Sequence, residues 1–335
     1  MAVYFTDDAV YEWTPAPAPF KGKAEIRAFF EDVFKGFPDF GTTEGRVFAT
    51  TNIVVVEHST TGTHRGLWQG IPPTGKSAPM PHLDVYDYAG NKIKHATTYA
   101  DAGGVMIQLG VLPAPAMPVL VPSFKPPEAQ PTGLASVAAA VEAVSRWNTH
   151  DLVHYAKMVR SDATFFIAPF GVPLDRNGWL AASELYFLGF SDVRLDITRK
   201  VDLGEGWVLA EGVAHGTHDG LFLGVPATGA AASVKAGLLF RIDAEGRLQL
   251  MNDYYDNLTL LAQITAPEWP IEGTWMAAIP TPLGNMIVKC TYVAQDIAKT
   301  RFTPIIEQIN QVPVLIDLYP GMEYVKFAGG QVAKD

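Results

Sequence analysis

The chain has 335 residues, 48% of them hydrophobic and 18% charged, with a formal net charge of −10 at pH 7. That length predicts about two domains, and an acidic chain without Lys/Arg clusters excludes nucleic acid and anionic membrane as partners, since both attract basic patches. The single Cys290 rules out an internal disulfide and a Cys-rich zinc site.

Taken in chain order, "MAVYFTDDAV" has neither the basic start nor the apolar run of a signal peptide, and no apolar run reaches the roughly 18 residues of a membrane span, so the expected location is cytoplasmic. The first strand is expected at "TDDAV", only five residues into the chain. At 62–75 comes "GTHRGLWQGIPPTG", whose glycines Gly62, Gly66, Gly70 and Gly75 suit turns and bulges and do not match a phosphate loop. "YAGNK" reads as a hairpin turn, and Asp101 precedes the apolar helical run "VMIQLG". From Pro113 to Pro131 seven prolines disfavour helix and predict an extended, semi-rigid connector. Two helices then follow, "LASVAAAVEAVSRWNTH" and "DLVHYAKMVRSD", with Asp151 placed to cap the second. "WVLAEGVAHGTHDGLFLG" and "VKAGLLFRIDAEGRLQLMNDYY" read as long antiparallel strands between Gly turns. After "TAPEWPIEG" a tail begins with two short strands, "GTWMAAIPTPLGNMIVKCTYV"; "FTPIIEQIN" reads as a helical turn or two and "VPVLIDLYPGMEYVKF" as more strand.

The motif at 62–75 returns at 216–229 as "GTHDGLFLGVPATG", identical at nine of fourteen positions. "DDAV" at 7 matches "SDAT" at 161, "GFPDF" at 36 matches "GFSDV" at 189, Glu57 matches Glu211, Asp101 matches Asp256 and Gln108 matches Gln263. Order is kept and the spacing barely drifts, so one domain is present twice in tandem. The expected layout is α+β: residues 1–113 as a domain lacking its first helix, 114–133 as a Pro-rich linker, 134–266 as a complete domain, and 267–335 as a β-rich extension or partial domain. Each domain is helices followed by a meandering antiparallel sheet.

The order G-T-H-x-G, G-x-P-x-T-G, a turn into Lys92-Ile93 or Arg247-Leu248, an Asp eight residues after that Ile or Leu, then Gln-Leu-Gly at 108–110, resembles the SnoaL-like polyketide cyclases. These belong to the nuclear transport factor 2-like superfamily, together with the ketosteroid isomerases. The resemblance covers about residues 3–113 and 135–265 and implies a strongly curved sheet covered by helices around an apolar cavity. It also implies that Asp101 and Asp256 are general acid/bases of an aldol cyclisation or enolisation, because a carbon acid beside a carbonyl is weak and a carboxylate in an apolar pocket has its pKa raised toward neutrality. The plainer role for each Asp is a helix N-cap. Tyr99 and Tyr254, two residues before each Asp and on the same strand face, could donate to an enolate oxygen; their plainer role is as strand aromatics. His64 and His218 could orient a carbonyl, or be hydrogen-bonded structural histidines.

Expected cavity walls are Trp68, Met80, Tyr86 and Met106 in the first copy and Tyr186, Phe187, Phe222 and Phe240 in the second. His215 and His218 face opposite sides of a strand, and His150 and His154 lack acidic partners at ligand spacing, so no metal and no cofactor are expected. The family's usual acidic residue and Trp near the turn are His95 and Thr97 in one copy, Leu250 and Asn252 in the other, and Asp84 near His82 has Leu239 as its apparent counterpart. The two cavities are therefore expected to differ. The implied function is a cyclase (ester cyclase type) or isomerase acting on a small apolar carbonyl compound. The alternatives are a non-catalytic ligand-binding or dimerisation module, with an internal pseudo-dimer or a homo-oligomer both open, and an epoxide-type hydrolase. The 27 residues from Ser136 to Asp162 roof the second copy only, which predicts a wetter first cavity and puts proton transfer on Asp256.

Overall fold

A computed structural model describes residues 2–43, 45–112 and 120–265 and four strands of the tail. The first copy runs β1 (Phe5–Trp13), β2 (Phe20–Lys21), α1 (Gly22–Gly36), β3 (Gly41–Thr42), β4 (Arg46–Ala49), β5 (Ile53–Thr61), β6 (Met80–Ala89), β7 (Lys92–Ala100) and α2 (Ala102–Leu109). The second runs α3 (Ser136–Asn148), α4 (Leu152–Ala156), β8 (Val159–Ile167), β9 (Pro173–Asp175), α5 (Arg176–Gly189), β10 (Arg194–Gly204), β11 (Trp207–Thr217), β12 (Ala231–Ile242), β13 (Leu248–Tyr254) and α6 (Asn257–Thr265).

The two sheets have matching strand orders, β2-β1-β7-β6-β5-β3 with β4 beside β5, and β10-β11-β12-β13-β8-β9. In each, the first long strand pairs in parallel with the last, β1 with β7 and β8 with β13, while the central strands are antiparallel. Only the second copy has helices ahead of its first long strand; the first has a single 3-10 turn, Ala2–Tyr4. α4 is capped as its sequence predicts, the Asp151 carboxylate accepting from the His154 N–H.

Apart from Gln69–Ile71, the two copies lie in one compact unit, and the tail belongs to another. The copies meet through the sheet faces opposite their helices. Val55, Leu83, Val85 and Tyr99 of the first pack with Leu209 and Tyr254 of the second. The polar contacts around this apolar patch are reciprocal: Tyr254 donates to Glu57 at 2.9 Å and Tyr99 to the equivalent Glu211 at 2.8 Å. Arg46 pairs with Glu57 and its counterpart Arg199 with Glu211, and Arg199 also reaches Asp87 of the first copy at 2.9 Å.

In the tail, β14 (Gly273–Thr281), β15 (Gly284–Tyr292), β16 (Ile305–Gln308) and β17 (Val332–Lys334) form a sheet in the order β16-β15-β14-β17. The hairpin is as read from sequence. The helical turn expected at "FTPIIEQIN" is instead strand β16, paired with β15, in keeping with its β-branched Ile305 and Ile306. The strand expected within 312–327 lies outside the described residues. Among the described residues, no helix is long and apolar enough to cross a membrane.

Candidate active sites: two unlike cavities on one frame

The repeated motif builds a clasp. His64 and His218 are fully buried, and the Nδ1 of each bonds the hydroxyl of Thr74 or Thr228, the Thr of the same motif, at 3.3 and 3.0 Å. The chain just after each His binds the end of the covering helix: Arg65 and Gly66 amides donate to the Gly36 carbonyl, Asp219 and Gly220 amides to that of Gly189. A side chain is excluded at Gly36 and Gly189, where a Cβ would lie 2.5 Å from Trp68 and 2.7 Å from Phe222. Burial lowers both histidine pKa values, so the rings stay neutral. Neither lines either of the two cavities described below, and their expected part in orienting a carbonyl is replaced by this structural one.

Asp101 and Asp256 are likewise placed between the copies. Asp101 accepts from the Gly104 N–H of its own helix at 2.9 Å and from the Asn257 N–H of the other copy at 3.0 Å. Asp256 accepts from the Thr259 N–H and the Ala102 N–H, both at 2.8 Å. Each carboxylate thus caps both helices. Burial, and then the charge of Asp256, push the Asp101 carboxyl well above the ordinary carboxylate range. The shift belongs to an interface pair with occupied oxygens, and neither carboxylate lines either of the two cavities described below. Tyr99 and Tyr254 do share a strand face with them, but it is the face turned to the other copy, where their hydroxyls are taken by Glu211 and Glu57.

The cavities lie on the opposite sheet faces. The first, of about 500 Å³, has aromatic walls that include Tyr11, Trp13, Phe29, Phe37 and Trp68, with Met80 and Tyr86 as expected; Met106 is buried beside it and its neighbour Val105 takes the wall position. The second, of about 90 Å³, is lined by Trp179, Val234, Leu238, Phe240 and Met251, and by Tyr186 as expected. Phe222 is instead packed against Gly189 and Phe190, and Phe187 stacks on His150 with ring centroids 4.0 Å apart. The copy without α-helices ahead of its first long strand has the larger cavity.

Strand register identifies equivalent wall positions. His58 faces His82 and Asp84 faces Thr98, as Gly212 faces Ala236 and Leu238 faces Asp253. The counterpart of Asp84 is therefore Leu238, not Leu239, which points to the other copy. Tyr11 and Tyr86 both flank Ala96, as Phe165 and Phe240 flank Met251.

In the first cavity, Asp84 accepts from Tyr86 at 2.9 Å and Thr98 at 2.5 Å, and lies 2.9 Å from His58 Nε2 and 3.5 Å from His82 Nε2. Burial opposes ionisation, but the bonds from His58, His82 and Thr98 outweigh it and hold the carboxyl well below its ordinary range. His82 is held above its ordinary value, the bond and charge of Asp84 overcoming its burial. The sequence signal was the alternation His82, Asp84, Tyr86 on one strand face. With His58 opposite His82, three potential metal ligands meet where the sequence predicts none.

In the second cavity the carboxylate has moved one strand over. Asp253 is half-buried, and its Oδ1 is fully buried without a hydrogen-bond partner. Burial alone pushes it up to about 7. Beside it in the wall, Tyr186 and Tyr255 hydrogen-bond each other through their hydroxyls. Burial above all, with the nearby charge of Asp253 adding to it, holds both above the ordinary tyrosine value. Sequence reading passed over Asp253 because nothing matched it in the first copy.

The model of the SnoaL-like polyketide cyclase family matches residues 1–109 and again 135–264. Among solved structures, IdmH of Streptomyces antibioticus, a candidate polyketide cyclase, is 28% identical, covering 39% of this chain and 98% of its own, with a TM-score of 0.36. AclR of Streptomyces galilaeus, a candidate hydroxylase, is 22% identical over 40% of this chain and 83% of its own, with a TM-score of 0.36. A SnoaL-like candidate cyclase of Shewanella denitrificans is 16% identical over 39% and 98%, with a TM-score of 0.37. No curated protein matches the chain.

Proposed function

This chain belongs to the SnoaL-like polyketide cyclase family in both of its copies, and from that premise we propose that its second copy catalyses proton transfer on a small apolar carbonyl compound, as an isomerase or aldol cyclase. The observation that carries this reading is Asp253, a carboxyl with an unpartnered buried oxygen on the wall of an otherwise apolar cavity. With its pKa raised to about 7, the group is partly ionised at neutrality and matched to taking and returning a proton.

The Tyr186–Tyr255 pair complements it. Both hydroxyls keep their protons, and one can turn from its partner to an enolate oxygen as negative charge develops there. Asp253 removes a proton from the carbon beside the carbonyl, and the tyrosines stabilise the enolate. The proton then returns at another carbon, giving isomerisation, or the enolate carbon attacks a second carbonyl and Asp253 protonates the new alkoxide, giving cyclisation. Val234, Leu238, Phe240 and Met251 exclude water and maintain the desolvation on which the basicity of Asp253 depends.

The test is deuterium exchange at the α-carbon of small cyclic monoketones, which exchange slowly without a catalyst, followed by NMR in D₂O. The expected result is catalysed exchange that rises with pH through an inflection near 7 and falls by about 10²–10⁴-fold in Asp253→Asn, while Asp84→Asn retains it. Exchange undiminished in Asp253→Asn overturns the reading, and tight binding of the ketone without any exchange favours a binding module.

A further inference from the structure

The first cavity contains a cluster that the second lacks altogether. His58 and His82 are cross-strand partners on β5 and β6, and Asp84 follows two residues after His82, so all three side chains leave the same sheet face. One ligand atom from each lies within 4.8 Å of the other two. From Asp84 Oδ2, the Nε2 atoms of His58 and His82 are 2.9 and 3.5 Å away. Metal–ligand bonds near 2.1 Å place neighbouring ligand atoms about 3.0 Å apart at a right angle and about 3.4 Å apart at the tetrahedral angle. Both carboxylate–imidazole spacings fall in the range of neighbouring ligand atoms on one ion.

The supporting bonds point the same way. His82 Nδ1 is 2.9 Å from the Met80 carbonyl, which can only accept, so Nδ1 carries the proton and a neutral ring turns a bare Nε2 lone pair toward the carboxylate. Two acceptors facing each other in a buried site need a positive charge between them, either a second proton on the ring or a cation. A backbone carbonyl behind the ring is also the usual orienting partner of a metal-bound histidine. Asp84 is steadied in turn by Thr98 and Tyr86. In the second copy the three positions change together, to Gly212, Ala236 and Leu238, as expected of groups that serve one purpose jointly.

We propose that His58 Nε2, His82 Nε2 and Asp84 Oδ2 bind a divalent first-row transition ion, with the adjoining cavity supplying its open coordination positions. Two histidines and one carboxylate with open positions form a substrate-binding type of site and not a closed structural one. The aromatic walls and the volume of about 500 Å³ suit a largely apolar ligand that reaches the ion through a carbonyl or enolate oxygen. The ion would polarise that oxygen as a Lewis acid. This site is independent of Asp253 and of the proton transfer proposed there.

The experiment titrates the metal-stripped full chain at pH 7.5 with Co²⁺, read by visible absorption, and with Zn²⁺, read by calorimetry and by competition against Co²⁺. One ion per chain is expected, with His58→Ala and His82→Ala each weakening Zn²⁺ by more than the roughly 10–100-fold that loss of an outer partner costs. A His154→Ala/His215→Ala double variant, which removes two other His–Asp pairs, should bind as the parent does. Should His82→Ala fold poorly, His58→Ala carries the test, since its imidazole bonds only Asp84. Absence of a Co²⁺ band, or a band that survives His58→Ala and disappears in the double variant, overturns the proposal.

Discussion

The two copies agree where they touch each other and disagree where they enclose space. Glu57 and Glu211, Tyr99 and Tyr254, Asp101 and Asp256 make reciprocal bonds across the shared face, and His64 and His218 close the same clasp. On the cavity side, Tyr11, His58, His82, Asp84, Tyr86 and Thr98 stand against Phe165, Gly212, Ala236, Leu238, Phe240 and Asp253. Within this chain the repeated residues are framework, and the polar groups of the cavity walls lie in the differences.

Breaking the shared frame should give the largest effect on stability. Glu57→Ala leaves the buried Asn252 and Tyr254 without their common acceptor, at about 1–3 kcal/mol each in denaturant unfolding, while the half-exposed Arg46 can turn to solvent. A loss below about 1 kcal/mol would mean that the copies do not depend on this contact.

The cavity difference should be visible as opposite pH dependence. Asp253 binds its proton more tightly folded than unfolded, so its contribution to stability is complete below about pH 4 and is lost as pH rises through about 7. Asp253→Asn should remove on the order of 2–4 kcal/mol of that decline between pH 5 and 8. Asp84 is shifted down, so its contribution is present above the ordinary carboxylate pKa and lost as pH falls below it. Equal slopes in the Asp253→Asn and parent proteins would contradict the contrast.

The clasps should respond alike. Gly36→Ala and Gly189→Ala drive a methyl group into Trp68 and Phe222 respectively and should each cost about 1–3 kcal/mol in thermal melts. A smaller perturbation, Tyr99→Phe, removes one bond to Glu211 and should cost about 1 kcal/mol, with Tyr254→Phe costing a similar amount; a cost at only one of the two would show the interface to be less symmetric than its bonds suggest.

The tandem repeat, the α4 cap and the hairpins were legible because each rests on local spacing or on self-similarity within the chain. Which sheet face encloses the cavity was not. Tyr99 and Asp101 share a face as alternation requires, but both faces of β7 are covered, one by its own cavity and the other by the sister copy, so polarity does not distinguish them. Alignment on the repeat also drew attention to residues present twice. Asp253 stands opposite Leu238 where Asp84 stands opposite Thr98, a carboxylate displaced by one strand, which only the pairing register reveals.

The central contrast is best tested by carboxyl ¹³C NMR on Asp-labelled protein, with Asp84→Asn and Asp253→Asn spectra to assign the two signals. The account predicts that Asp253 titrates near pH 7 while Asp84 stays ionised to well below the ordinary Asp value. Two carboxyls titrating together near pH 4 would contradict it.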